Sequence, residues 1–548
     1  MIEKLLKTRN VLLLFSLYVI SNNYISAQTF ERVENIVGLG ILEENNGVAV
    51  ADYDGDNDLD IFVVAKAKDN TGSPKTLSRL FRNNDDGSFT DVTEFAGFQD
   101  LLTQEEGGNP YLGLDGHKNG AFWGDYNNDG FPDLLLTYSL KVQLWRNLGN
   151  GTFANITSIS GLDTVNSCLN TGATWFDYDN DGLLDIYIND WAGCGSNRLF
   201  KNNGNNTFTD VTVTTGIQQA SNYGSYTALP FDFNEDGYMD LYVTNNAQDP
   251  NSLYINNNGT SFSDHAQLYG LDTAGEDKGI SISDYNNDGF FDFFVSDDNN
   301  NFFLENNGDN TFADSANDLG IGNSQSSWGT LFSDFDLDGD EDLLVLNGNF
   351  YGSSSQTNYY YKNLTIEGQE IFEDNSLTSI LGETAISVTA VDFDYDNDGD
   401  KDVIVTNSDG SIFFYENKLL NFDDAVTSKN WFKIKLEGTT SNRDAIGTII
   451  TLTTSNGTLK RYYSGVGFLS QNLNGVHFGL DNASQILSLE IKWPSGLIET
   501  FNSLDVNATI KATEGSGYEI LNIIPSQKIY GCTDPISCNY NPDATLDD

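Results

Sequence analysis

One nine-residue pattern occurs seven times in this chain and constrains its fold more than any other feature. It reads Asp, aromatic, Asp or Asn, any residue, Asp, a turn residue, any, any, Asp. The copies begin at Asp52, Asp125, Asp177, Asp232, Asp284, Asp334 and Asp394, and successive starts are 73, 52, 55, 52, 50 and 60 residues apart. Periods of this size belong to solenoids and propellers. Each copy has the same flanks. A short apolar strand precedes it, such as Gly47-Val48-Ala49-Val50. A second follows, such as LDIFVV from Leu59. A third resembles RLFRNN from Arg79, and an Asn/Gly/Asp turn leads to a fourth, such as SFTDVT from Ser88. Apolar alternation bounded by such turns is the hairpin signal. Four strands in each of seven repeats predict an all-β chain: a seven-bladed β-propeller over residues 28–424, followed by a smaller β domain. The segment TFERV from Thr29 reads as a fourth strand without a preceding repeat, and the seventh repeat has a weak fourth strand. The N-terminal strand is therefore expected to complete the last blade and remove two open sheet edges.

The side chains in the pattern are those of a calcium loop, with oxygen ligands at alternate positions, a main-chain carbonyl and a closing carboxylate. Position 1 is Asp52, Asp125, Asp177, Asp232, Asp284, Asp334 and Asp394. Position 3 is Asp54, Asn127, Asp179, Asn234, Asn286, Asp336 and Asp396. Position 5 is Asp56, Asp129, Asp181, Asp236, Asp288, Asp338 and Asp398. Position 7, expected to offer its carbonyl, is Asp58, Phe131, Leu183, Tyr238, Phe290, Asp340 and Asp400. Position 9 is Asp60, Asp133, Asp185, Asp240, Asp292, Asp342 and Asp402. Position 6 is Gly in six copies and Asn57 in the first, residues that tolerate a left-handed turn. The closing Asp opens a strand, so the loop is not an EF-hand.

Electrostatics strengthens this reading. Carboxylates about 5 Å apart repel by roughly 3 kcal/mol per pair at an effective dielectric near 20. Leaving position 7 aside, the loops hold 25 carboxylates. About seven Ca²⁺ would change the formal charge from −53 to −39. Solvated acidic turns are the alternative for any single copy, but less so for seven in register. Magnesium prefers a tighter octahedron. The same charge excludes nucleic acid as a partner and disfavours anionic lipid.

The repeats resemble FG-GAP or VCBS-type repeats, as in integrin α-subunit propellers. Residues 425–522 resemble the ASPIC/UnbV domain of the cartilage acidic protein-like family, through Asn430-Trp431, SNRDAIG from Ser441, Ser470-Gln471, HFGL from His477 and WPSG from Trp493. Read by periodicity, WFKIKLEG, GTIITLTT, TLKRYYS and LSLEIKW are strands. Arg443 and Asp444 are expected either to contact a ligand or, more simply, to fix a hairpin loop.

Residues 1–27 read as a secretory signal peptide, with Lys4, Lys7 and Arg9 before the apolar run Val11–Ile20. Ten apolar residues fall short of the roughly 20 needed for a membrane anchor. Export permits disulfides, and Cys168 and Cys194 flank the third loop. Residues 523–548 form a linker and a Cys-containing module with Cys532 and Cys538. The module resembles bacterial surface-protein termini, and on that resemblance it is expected to be truncated at Asp548. Catalytic signatures are absent, and the three histidines His117, His265 and His477 lack partners that would make a catalytic set. The expected function is a secreted or cell-surface adhesion or ligand-binding module for an extracellular protein or glycan, and not an enzyme. The alternative is a carbohydrate-active hydrolase or lyase working in the propeller's central cleft.

Overall fold

The computed structural model describes residues 30–40, 44–65, 78–98, 118–138, 141–162, 169–191, 197–218, 224–349, 354–366, 368–369, 371–420 and 429–523. The expected signal peptide, all four cysteines and the C-terminal module lie outside the described residues, as does His117.

Seven sheets, each built on four antiparallel strands, follow one another along the chain, and the first and sixth are extended to six strands. Their first strands are Asn45–Ala51, Lys118–Gly124, Asn170–Phe176, Ser225–Phe231, Ile280–Ser283, Ser327–Ser333 and Ser387–Phe393. Each of these strands neighbours the next, and the seventh neighbours the first, so they close a ring around an axis. This is the arrangement expected of a propeller. Aliphatic and aromatic side chains fill the gaps between sheets, for example Phe62, Phe98, Trp123 and Phe153 between the first and second.

The N-terminal strand Phe30–Arg32 is the outermost strand of the seventh sheet, with Phe30 opposite Asn417 and Arg32 opposite Tyr415. The fourth strands are shorter than their alternation implies. In the fourth sheet, Phe262–Asp264 ends before His265, which instead precedes the one-turn helix Ala266–Tyr269. Asp at the third strand position ends these strands physically: its carboxylate accepts the N–H two residues on, as Asp264 does from Ala266 at 3.1 Å.

The second domain has two four-stranded sheets around one core. Asn430–Glu437 lies between Val476–Asp481 and Ala508–Thr513, with Gly517–Ile523 at the edge. Thr448–Thr454 lies between Thr458–Tyr463 and Ile486–Lys492, with Ile498–Leu504 at the edge. Phe432, Ile450, Phe478, Leu489, Trp493 and Ile510 form part of the shared core. Glu514 ties its loops together. One carboxylate oxygen accepts the N–H groups of Thr439, Thr440 and Ser441 at 2.8, 2.7 and 2.9 Å, and the other accepts the hydroxyls of Ser441 and Ser495.

Candidate metal centres

Each acidic loop joins the first and second strands of a sheet, at one end of the ring. Position 1 shapes the turn with its carboxylate. Asp177 accepts the N–H groups of Asp181 and Gly182 at 3.1 and 2.8 Å, and Asp334 accepts those of Asp338 and Gly339 at 3.1 and 3.0 Å. Position 6 has positive φ as expected, from 79° at Asn57 to 110° at Gly339. Position 4 is left-handed too, including Asn128, Asn180 and even Leu337 at 58°. The frequent Asn at that position was the available signal, since Asn tolerates this conformation.

Position 9 has a second task. Asp185 accepts the N–H of Tyr178 at 3.1 Å and that of Asn202, on the third strand, at 2.7 Å. Asp60 and Asp402 do the same with Tyr53 and Asn83, and with Tyr395 and Asn417. In the sixth loop Asp342 instead takes the Tyr360 hydroxyl at 3.0 Å, alongside the N–H of Asn363.

Three carboxylates bring oxygens within 4.8 Å of one another at four loops: Asp52, Asp54 and Asp60; Asp177, Asp179 and Asp185; Asp334, Asp336 and Asp338; Asp394, Asp396 and Asp402. These are the loops with Asp at position 3. Where Asn stands there, its amide donates to a carboxylate: Asn127 to Asp133 at 3.0 Å, Asn234 to Asp236 at 3.0 Å, and Asn286 to Asp288 at 3.1 Å. At position 7, Phe131, Leu183, Tyr238 and Phe290 donate N–H to the position 5 carboxylates Asp129, Asp181, Asp236 and Asp288 at 2.8–3.2 Å. Asp340 and Asp400 turn their side chains to the N–H groups of Ile366 and Leu420, at 2.9 and 2.8 Å, and Asp58 accepts from the Asn397 amide at 3.1 Å.

These residues fit a hard cation. Buried carboxylate oxygens without a hydrogen-bond donor occur at Asp54, Asp179, Asp292, Asp338, Asp394, Asp398 and Asp400, which between them represent five loops. Such atoms are costly unless a positive charge faces them. An all-oxygen donor set suits calcium. Burial and then repulsion from Asp56 and Asp52 push Asp54 up to about 6, and burial is also the main cause that lifts Asp177 to about 7 and Asp60 to about 9. Asp338 rises to about 11, through burial and then Asp334 and Asp336.

Counter-charge also comes from the protein, through residues that the loop pattern alone does not reveal. Lys201 pairs with Asp179 and lies 2.9 Å from Asp181. Lys362 pairs with Asp336 and lies 3.5 Å from Asp338, and Arg146 is 3.5 Å from Asp129. All three immediately precede the third-strand Asn, a recurrence visible in RLFKN, YYYKN and LWRN.

The second domain covers this end of the ring. Lys435 donates to the Asn57 carbonyl at 3.0 Å, Lys460 to that of Gly289 at 2.6 Å, and Arg461 to that of Gly339 at 2.9 Å. Arg443 and Asp444 neither hold an isolated hairpin nor face open solvent together. Asp444 accepts the N–H of Asp125 at 2.8 Å, and the Arg443 guanidinium lies 3.5 Å from the Asp125 carboxylate, so this pair seats the domain on the second loop. His477 is buried, stacks on Trp431 and places Nε2 3.0 Å from the Gly399 carbonyl.

A hairpin from the same domain enters the ring. Ser470–Asn472 pairs in parallel with the first inner strand, Ser470 opposite Val48 and Asn472 opposite Val50. At its turn Phe468 and Leu469 are buried against Tyr226, Trp328 and Val388, from the fourth, sixth and seventh sheets. Glycines on the inner strands make room: a Cβ on Gly47 would lie 2.5 Å from the Leu469 carbonyl oxygen, and one on Gly279 would lie 3.3 Å from Phe468 Cβ. A cavity of about 160 Å³ remains beside the hairpin. There Lys401 pairs with Asp392 at 2.8 Å and Arg461 with Glu341 at 3.2 Å.

Comparison with known proteins finds matches in both regions. A family model described as FG-GAP-like repeat matches residues 125–188, 177–243, 232–295 and 284–345, and one described as ASPIC and UnbV matches 438–519. The chain is similar to cartilage acidic protein 1 of Mus musculus, with 25% identity over 312 residues. The match covers 55% of this chain and 38% of that protein, well under half of the relative's length. Among solved structures it is similar to an Agrocybe aegerita lectin described as recognising non-reducing terminal N-acetylglucosamine. The identity is 17%, the TM-score 0.40, and the match covers 69% of this chain and 88% of that one. A chain described as BBS1N in complex with ARL6DN has 10% identity and a TM-score of 0.38, over 69% and 92%. The chain thus carries FG-GAP-like repeats followed by an ASPIC and UnbV domain.

Proposed function

We propose that this is a secreted or cell-surface protein whose seven acidic loops bind calcium, and that the propeller so stabilised acts as an adhesion or ligand-binding module. The observation that carries the calcium reading is the set of buried carboxylate oxygens without donors, found in five of the seven loops. Calcium would neutralise them and tie the start of each second strand to its loop. It binds the folded loops far better than the unfolded chain and so adds stability by mass action. The extracellular role draws on the cartilage acidic protein relative, and the ligand class, protein or glycan, is the wider proposal.

The position of the hairpin disfavours the enzyme alternative. A central cleft used for catalysis needs open carboxylates facing substrate, whereas Phe468 and Leu469 fill the axis and Asp392 and Glu341 are paired with cations. Metal analysis after dialysis against calcium tests the first half of the proposal. About seven ions per chain are expected from the loop count, and three or fewer would remove it. Glycan-array and protein-capture screens, each with calcium and with chelator, test the second half. Calcium-dependent binding supports the module, and turnover of a bound glycan would restore the enzyme.

A further inference from the structure

The seven loops are not equivalent. In the first five, the position 5 carboxylates Asp56, Asp129, Asp181, Asp236 and Asp288 are exposed. In the sixth and seventh loops the acidic cluster is more deeply buried, with Asp336, Asp396 and Asp398 keeping partial exposure. Asp334, Asp338 and Asp340 are 4%, 8% and 1% exposed, and Asp394 and Asp400 are 3% and 0% exposed. Asp338 Oδ2, Asp394 Oδ1, Asp398 Oδ2 and Asp400 Oδ1 are buried with no hydrogen-bond donor. Only these two loops combine an added Asp at position 7, drawn into the interior, with this burial.

The second domain forms the cover. Gly479 N–H donates to Asp334 Oδ2 at 3.0 Å, the same oxygen that accepts from Gly339, and Asp481 N–H donates to the Leu337 carbonyl at 2.8 Å. The fit leaves no slack: a Cβ on Gly479 would lie 2.1 Å from Asp334 Oδ2 and 2.5 Å from Leu337 Cα. Over the seventh loop, a Cβ on Gly399 would lie 1.9 Å from Trp431 Nε1, and His477 faces the Gly399 carbonyl.

We propose that the docked second domain seals the sixth and seventh loops, so that two calcium ions are held as kinetically trapped ions while those in the exposed loops exchange freely. The inference rests on the calcium reading above. An ion in the sixth or seventh loop is hindered from reaching water until Val476–Asp481 lifts from the propeller. Loss of these two ions and undocking of the domain are then one event, and the ions act as fasteners between the domains.

The test mixes the calcium-loaded full-length chain with excess chelator and follows ion release in a stopped-flow fluorimeter, after the bound ions have been counted. Two phases are expected, with about two ions leaving at least tenfold more slowly than the rest. Gly479→Ala should speed the slow phase at the sixth loop and His477→Ala at the seventh. Arg198→Ala, which breaks a pair with Asp210 between the outer strands of the third sheet, should leave it unchanged. If Gly479→Ala does not fold, His477→Ala decides alone. Several bound ions released in one fast phase, or a slow phase untouched in a folded His477→Ala protein, overturn the seal while leaving the calcium reading intact. A protein that binds no ions removes both.

Discussion

The side-chain amide of Asn147 donates a 2.8 Å hydrogen bond to the main-chain carbonyl of Tyr53, in the acidic loop of the preceding sheet. Its own N–H goes to Asp133 at 2.7 Å, so one residue links the closing carboxylate of its own loop to the neighbouring loop. The same amide bond recurs from Asn202 to Tyr126, Asn256 to Tyr178, Asn363 to Tyr285, Asn417 to Phe335 and, across the ring closure, Asn83 to Tyr395. Six of the seven junctions between sheets thereby carry this directional bond, and a local change at one of those loops is felt at the next sheet.

Asn147→Leu should therefore destabilise out of proportion to its size. It leaves the Tyr53 carbonyl buried without a donor, at a cost of roughly 1–3 kcal/mol. Urea denaturation of the calcium-loaded protein measures it. A change below experimental error would mean the bond contributes nothing net.

Stability of the metal-free protein should fall as pH rises. Asp54, Asp177 and Asp60 have folded-state values of about 6, 7 and 9, all raised chiefly by burial. A carboxyl raised above its unfolded value, about 3.9, holds its proton more tightly in the fold. Its contribution is full below about pH 4 and lost as pH climbs through the folded value. Melting curves in chelator should shift downward from pH 4 to 9. With calcium the trend should reverse, because the ion requires ionised carboxylates and is displaced by protons. A metal-free melting temperature that rises with pH contradicts this account.

Removing residues 28–34 should open the ring. The deleted strand covers the outer edge of the seventh sheet, and Val33 N–H bonds the Phe414 carbonyl at 2.9 Å. Exposed edges pair with other chains. Size-exclusion chromatography should show oligomers, together with a lower melting temperature. A monomeric deletion with unchanged melting would show that the latch is dispensable.

Asp277→Asn should stabilise the protein at pH 8 and leave it unchanged at pH 4. In the fourth, sixth and seventh sheets the equivalent pair is Ser and Asn: Ser225 with Asn245, Ser327 with Asn347 and Ser387 with Asn407, at 2.7–2.8 Å. The fifth sheet puts Asp277 and Asp297 there. Burial and then the Asp297 charge raise Asp277 well above the usual carboxylate range. Its stabilising, protonated form is lost as pH rises. An amide supplies a permanent donor in its place. A lower melting temperature at pH 8 would show that the charge is needed.

Repeat number, strand order, the turn at position 6 and the N-terminal latch were legible in the sequence. Each is a local matter repeated seven times: the spacing of Asp52 to Asp60, the alternation in LDIFVV and the Gly at the turn all act within a few residues. Four strands of the second domain, Asn430–Glu437, Thr448–Thr454, Thr458–Tyr463 and Ile486–Lys492, were legible for the same reason. What Asn147, Lys201, Asp444 and the hairpin at Phe468 do was settled only by the tertiary structure. Their partners lie in another sheet or another domain, as Asp444 and Asp125 do, 319 residues apart in the chain. Each of these side chains is an ordinary strand or loop residue by local rules. It acquires its task when ring closure and domain docking remove water from it and bring a particular carbonyl, carboxylate or aromatic face against it.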